Sequence, residues 1–334
     1  MTTALVWFLV GALVLWGQRE WRGTRSAQRF RRRFAAGPDG VIIGAEPRSF
    51  VANSARAILL IHGYNDSPRS LEWIAQRLHA AGWTVRVPLL PGHGRSLEAW
   101  DDWTADELIA HVRDEYAALR ATHQTVAVGG LSMGGALACW LAAESEPDAV
   151  VLFAPMLFVP RPMQVAVSTA RLWSLATRYL SGGGGRSILD PVAQRQQISY
   201  GCSTRRSLEA LQRLANGTSV RLGFVRAPVL VLQSAQDNRL PADQSRHAFA
   251  RLGSADRTVH WVEGAGHVLT VDYGWEGLAS ETIAWLEARL AARAAATEAL
   301  RRSREILRDL SAPSSAPSSA PSSTPSSTPT GEGH

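Results

Sequence analysis

Short apolar runs alternate with helical patterns through the middle of this chain. The runs are 57–61 (AILLI), 84–90 (TVRVPLL), 125–128 (TVAV), 149–153 (AVVLF), 228–232 (PVLVL) and 258–262 (TVHWV). Between them, residues 70–81, 105–121, 133–144 and 242–252 carry the spacing of helices. The runs are continuously apolar rather than alternating, which marks strands buried on both faces. The pattern predicts an α/β class with a mostly parallel, doubly wound sheet, its core at 40–155 and 227–290. From 156 to 226 no buried strand is evident, while 163–179 and 205–216 read as helices separated by the glycine run 182–185. This interval is expected to form a helical cap above the carboxyl ends of the strands, where open α/β sheets bind ligands.

The two ends follow other patterns. Residues 3–16 (TALVWFLVGALVLW) carry no charge and are followed by Arg19, Arg22, Arg25, Arg29, Arg31, Arg32 and Arg33, opposed only by Glu20. As a helix the apolar stretch covers roughly 21 Å, against about 30 Å of bilayer hydrocarbon. Trp7 and Trp16 suit an interface, and the arginines suit the cytoplasmic side. These features predict a single-pass anchor at 1–18 in the inner (cytoplasmic) membrane. An arginine-rich juxtamembrane linker at 19–39 would follow, with the body of the protein facing the cytoplasm. A helix lying on the membrane surface is the second reading, and a signal peptide lacks both its charged start and its cleavage site. At the other end, 275–310 has helical composition and is expected to pack early on, through Leu278, Ile283, Trp285 and Leu286. Residues 291–310 would extend as a solvated helix, and the APSS and TPSS units of 311–334 are expected to be disordered.

Composition narrows the partners. Of 334 residues, 46% are apolar, enough for a full core. The net charge of +6 comes with no lysine at all. Arginines recur throughout, and no basic helix interleaved with aromatics stands out, so no nucleic-acid partner is expected. Cys139 and Cys202 form neither a disulfide framework nor a zinc motif, so no metal, cofactor or redox role is assigned.

The sharpest chemical signal is Gly129-Gly130-Leu131-Ser132-Met133-Gly134-Gly135, a G-x-S-x-G between a predicted strand and a predicted helix. Ser132 is the candidate nucleophile, and Gly130 and Gly134 keep strand and helix close at the turn. A serine hydroxyl needs a base, and the base needs an orienting acid. Asp237 follows the 228–232 run and His267 follows the 258–262 run, so all three would meet at one sheet edge. His260 lies inside its run and reads as a packed side chain, Asp243 falls in the next helix, and Asp272 lies beyond the histidine loop. An oxyanion needs two backbone donors; the amides of Met133 and Tyr64 are the candidates. His62 is expected to brace the Tyr64 loop, and His93 to belong to a shaped loop.

Taken together, AILLIHGYNDSP, LLPGHGRS, GGLSMGG, PVLVLQSAQDNRLP and GAGHVLTVD resemble the bacterial carboxylesterase and monoacylglycerol lipase group of the α/β-hydrolases. The resemblance spans roughly residues 40–290. It implies an ester or monoacyl lipid substrate, no cofactor, an acyl-enzyme route and a cap over an apolar pocket. It also carries nucleophile, acid and base onto Ser132, Asp237 and His267, and oxyanion donors onto Tyr64 and Met133. The Asn65-Asp66 pair departs from the small or uncharged residues usual in that loop. Peptide or amide hydrolysis, acyl transfer and a non-catalytic binding role are the competing expectations.

Overall fold

The computed structural model describes residues 2–182 and 187–311. Its strands are β1 (Arg48–Phe50), β2 (Arg56–Ile61), β3 (Thr84–Val87), β4 (Thr125–Leu131), β5 (Val150–Phe153), β6 (Leu180–Ser181), β7 (Cys202–Ser203), β8 (Val229–Ser234) and β9 (Arg257–Val262). Seven of them form one sheet in the order β1-β3-β2-β4-β5-β8-β9. β1 runs antiparallel to β3, and every other neighbouring pair is parallel. β6 and β7 form a separate antiparallel pair.

Side chains of each inner strand divide between two cores, as strand geometry requires. Ala57, Leu59 and Ile61 of β2 point into one core, Ile58 and Leu60 into the other. Val150 and Leu152 of β5 separate from Val151 and Phe153 in the same way. Burial on both faces explains why these runs are continuously apolar in sequence.

The helices are α1 (Thr2–Arg33), α2 (Glu72–Ala80), α3 (Leu97–Trp100), α4 (Ala105–Thr122), α5 (Met133–Ser145), α6 (Arg161–Ser168), α7 (Ala170–Ala176), α8 (Pro191–Gln196), α9 (Arg205–Arg221), α10 (Ala242–Ala250) and α11 (Trp275–Ser311). Leu108 and Val112 of α4, Leu137 and Leu141 of α5 and Leu214 of α9 fill the first core; Ile74 and Leu78 of α2 and Leu278 and Leu286 of α11 fill the second. Helix α4 starts sharply because Thr104 accepts from the Glu107 amide while the Glu107 carboxylate accepts from the Thr104 amide.

Three local readings change. β1 is three residues on an exposed edge and leaves no apolar run to detect. His260 is not packed: it lies on edge strand β9, exposed, and faces Glu281. The expected helix over 163–179 breaks into α6 and α7 at Thr169, whose hydroxyl donates to the Val165 carbonyl at 2.7 Å.

The chain divides into one compact unit at 1–290 and another at 291–334. α11 begins in the first and continues to Ser311. Residues 183–185 of the glycine run and 312–334 of the tail lie outside the described residues.

The membrane anchor is overturned. Among the described residues, no helix is long and apolar enough to cross a membrane. The apolar stretch is too short, and α1 continues past it without a break into the arginine-rich half. That half is no juxtamembrane linker: it packs on the protein. Ala27 and Phe30 are buried, Arg19 donates to the Ser174 carbonyl at 2.8 Å, and Glu20 pairs with Arg178 at 3.2 Å. The inner-membrane, cytoplasm-facing location expected from the sequence falls with the anchor.

Candidate active site

Ser132 sits alone between the last residue of β4 and the first of α5. Its φ of 54° lies in the left-handed region, which costs energy for any residue with a Cβ. The surroundings hold it there. Its amide donates to the Phe153 carbonyl at 2.9 Å, and its carbonyl accepts from the Met156 amide at 2.9 Å. A Cβ on Gly130 would overlap the backbone of Gly134, and one on Gly134 would overlap the Ile61 carbonyl of β2. The missing side chains let α5 start directly above the sheet, with its N-terminus and partial positive charge beside the serine.

Asp237 follows β8 and His267 follows β9, and the sheet brings both to Ser132. His267 Nε2 lies 2.9 Å from Ser132 Oγ, and His267 Nδ1 lies 2.8 Å from Asp237 Oδ2. Burial acts to raise the Asp237 pKa, but the electrostatic attraction and hydrogen bond of the His267 imidazole and the amides of Arg239 and Leu240 outweigh it. Its carboxyl is therefore held below its ordinary value. An ionised carboxylate only accepts, so Nδ1 carries the imidazole proton and Nε2 is left to accept from the serine hydroxyl. Gln233 also donates to Asp237 Oδ2, at 2.8 Å.

The loop after β2 forms the opposite wall. The Leu90 amide donates to His62 Nε2 at 3.1 Å, so Nδ1 bears the proton and donates to the Gly63 carbonyl at 3.0 Å. Burial keeps His62 well below its ordinary pKa, hence neutral and suited to a brace. His93 is buried among His62, Trp100 and Trp103, away from the cavity lining. Asp66 accepts from the Gly63 amide at 3.3 Å and from Ser70 Oγ at 2.6 Å. Burial pushes the Asp66 carboxyl up to about 6, although these hydrogen bonds and His267 pull the other way. Asn65, at φ 58°, accepts from the Gly201 amide at 3.1 Å and so ties this loop to the segment before β7. Neither the Tyr64 nor the Met133 amide has a hydrogen-bond partner among the described residues.

These walls enclose a cavity of about 790 Å³ that contains Ser132, His267, Gly63 and Tyr64. Met156, Met163, Leu208 and Leu211 make part of its lining apolar. Nearby, Leu157 is buried in the core, and Phe158, Leu172 and Trp173 do not line the cavity. Among the described residues no group of histidine, cysteine and carboxylate side chains is arranged to hold a metal.

The residue that sequence reasoning passed over is Asp272. Its side chain is buried and accepts four amides: Gly266 and Leu189 on Oδ2, both at 2.7 Å, and Asp190 and Tyr273 on Oδ1, at 2.8 and 2.9 Å. The Val268 amide donates to the Ser187 carbonyl at 2.9 Å. Together these bonds stitch the histidine loop to residues 187–190. The available signal was an acid five positions after His267 in GAGHVLTVD, close enough to fold back on its own loop.

A family described as serine aminopeptidase, S33, matches residues 52–273. The chain belongs to this α/β-hydrolase family. A thermostable monoacylglycerol lipase from Bacillus sp. (strain H-257) is 30% identical over 239 residues, covering 70% of this chain and 90% of the relative. A carboxylesterase from Bacillus subtilis (strain 168) is 23% identical over 235 residues, covering 69% and 92%. A solved structure of a metagenome-derived lipolytic enzyme superposes with a TM-score of 0.68 at 26% identity, covering 73% of this chain and 98% of the other. Within the α/β-hydrolases the chain groups with the carboxylic-ester hydrolases. α1 lies wholly before the matched segment.

Proposed function

We propose that this α/β-hydrolase cleaves carboxylic esters of monoacyl amphiphiles through an acyl-enzyme formed on Ser132. The observation that carries the reading is the Ser132–His267–Asp237 hydrogen-bond chain, at 2.9 and 2.8 Å, opening into the capped cavity. His267 Nε2 takes the hydroxyl proton as Ser132 Oγ attacks the ester carbonyl. Asp237 holds the tautomer and stabilises the imidazolium. The Tyr64 and Met133 amides donate to the tetrahedral oxyanion. As the ester C–O bond breaks, the alcohol leaves with the proton from His267. His267 next deprotonates a water that attacks the acyl carbon, and the acid departs from Ser132.

The family description names a peptidase, so amide cleavage by the same residues is the second reading. The cavity disfavours an aminopeptidase substrate. Arg33, Arg195 and Arg239 line it, while its one lining carboxyl among the described residues, Asp66, is already engaged by Gly63 and Ser70. A free α-ammonium would meet repulsion there, whereas a monoacyl chain fits the side lined by Met156, Met163, Leu208 and Leu211. Relatives named for monoacylglycerol and carboxylic esters support the same choice.

The test is fluorophosphonate labelling of full-length protein and of Ser132→Ala, followed by turnover of p-nitrophenyl esters and aminoacyl p-nitroanilides. Labelling that disappears in the variant, with ester turnover exceeding amide turnover, is the expected result. Folded wild type that resists the probe would sink the proposal, and faster turnover of the aminoacyl amides would favour the second reading.

A further inference from the structure

Helix α1 supplies part of the wall around the candidate site. Arg33 lines the cavity that contains Ser132 and also lines a second cavity of about 370 Å³ beside it. Ser181 and Gly201 are likewise shared by both, so the two spaces adjoin at the β6–β7 pair. Arg29, one helical turn before Arg33, and Ser26 line the second cavity from the same face of α1. This face is held in place. Phe30 stacks on Tyr200 with ring centres 5.1 Å apart and an interplanar angle of 4°, and Tyr200 stacks in turn on Trp100 at 4.4 Å. The Tyr200 hydroxyl donates to the Gly92 carbonyl at 3.1 Å and accepts from the Arg95 amide at 3.0 Å.

Arginines rather than carboxylates line this wall, with Glu98 and Asp101 within electrostatic range of Tyr179. Arg19 and Arg31 of the same helix pair with Glu20 and Glu98. No carboxylate among the described residues pairs with Arg29 or Arg33, and none lines the second cavity. The guanidinium of Arg33 rests over the Phe34 ring at 4.9 Å, a contact that leaves its N–H groups available. The joined space is thus amphipathic. Its apolar wall comes from Met156, Met163, Leu208 and Leu211, and its cationic, hydroxyl-bearing wall from α1 and β6.

We infer that the Arg29–Arg33 face of α1 is a subsite for an anionic group, a phosphate or carboxylate, carried on the alcohol side of a monoacyl ester. This rests on the ester-hydrolase reading and sharpens its substrate class. With the acyl chain against the methionine and leucine wall, the alcohol portion extends toward β6 and α1. Guanidinium forks match the geometry of phosphate and carboxylate oxygens, and the site distinguishes a charged head group from a neutral glyceryl one.

The experiment uses full-length protein with hexanoyl glycerol and its phosphate-bearing counterpart, both below their micelle-forming concentrations. The readout is the ratio of kcat/KM for the phosphate ester to that for the neutral ester, in wild type, Arg33→Lys and the Arg29→Ala/Arg33→Ala double variant. Fluorophosphonate labelling of Ser132 reports an intact site in each. Wild type is expected to prefer the phosphate ester by about tenfold or more, with added salt eroding the preference. The double variant should lose about tenfold of that ratio, and Arg33→Lys should keep part of it. A wild-type ratio of one or below, or an unchanged ratio in a labelled double variant, would overturn the inference. Inorganic phosphate alone altering neutral-ester turnover, with no advantage for the phosphate ester, would reassign the site to a free anion and overturn it too. If neither ester turns over and Ser132 resists the probe, the ester-hydrolase reading fails and takes this inference with it.

Discussion

Asp272 Oδ2 accepts the Gly266 amide at 2.7 Å, which places a buried carboxylate directly beneath the loop that carries His267. The same oxygen accepts from Leu189, and its partner oxygen accepts from Asp190, so residues 189–190 and the histidine loop share one anchor. Asp272→Asn removes the charge and turns an NH₂ group toward amides that need an acceptor. Leaving two buried N–H groups unmet should cost about 2–4 kcal/mol. Urea denaturation measures that cost, and a parallel fall in kcat would show that the anchor positions His267. An unchanged denaturation midpoint would mean that the amides of residues 189 and 190 find other acceptors.

For Asp237 the expected effect is kinetic. Asp237→Asn keeps the shape but presents an amide that favours the wrong imidazole tautomer, so kcat should fall by about 10⁴. Ser132→Ala and His267→Ala should lose about 10⁴–10⁶. Stopped assays with a p-nitrophenyl ester would resolve these losses. A loss below tenfold for Asp237→Asn would point to another residue orienting His267, with Gln233 the neighbour to examine next.

Why were some of these residues legible in sequence and others not? Residues 129–135 announce their geometry because the sterics of a strand-to-helix turn are local: glycine, small contacts and one hydroxyl at the turn. Asp237 and His267 were legible because each directly follows an apolar strand, and parallel strands deliver their ends to one edge. Asp272 was not, since its four amide partners are spread over both its own loop and the distant residues 189–190, a meeting that only the folded chain creates. α1 misled for a related reason. Its composition resembles an anchor, but its arginine-rich half is held by a Phe30–Tyr200 stack between residues 170 positions apart. His260 lay in an apolar run, yet β9 is the sheet edge, and edge position is a property of strand order rather than of the run.

Gly134 and Gly277 permit a contrast between two substitutions of the same type. Gly134→Ala forces a methyl group into the Ile61 carbonyl of the neighbouring strand, against backbone atoms of residues 61 and 62 with nothing flexible to yield. Overpacking there should cost about 3 kcal/mol or more and suppress labelling of Ser132. Gly277→Ala, in the first turn of α11 with nothing within 4 Å of its Cβ, should instead gain about 0.4–1 kcal/mol. Thermal melts of the two proteins would check both signs. A tolerated Gly134→Ala would mean that β2 and α5 can separate without loss.

Asp66 and Asp237 lie on either side of the site, and their shifts oppose each other in pH. The Asp66 pKa is raised to about 6 from an ordinary 3.8, so the folded chain binds that proton more tightly than the unfolded chain. Its contribution to stability is fully present below the ordinary carboxylate value and is lost as pH rises through about 6. Asp237 is held below its ordinary value, so its contribution is present above that value and lost as pH falls. Asp66→Asn keeps an acceptor for the Gly63 amide and the Ser70 hydroxyl while removing the ionisation. The variant should therefore gain stability relative to wild type at pH 8 but not at pH 4, as read from urea midpoints at the two values. Equal shifts at both would show that Asp66 ionises freely in the folded protein. The same substitution removes a negative charge beside the Tyr64 loop, so kcat above pH 6 should rise if ionised Asp66 opposes the developing oxyanion. A matching loss of kcat would instead assign its charge to holding the His267 imidazolium.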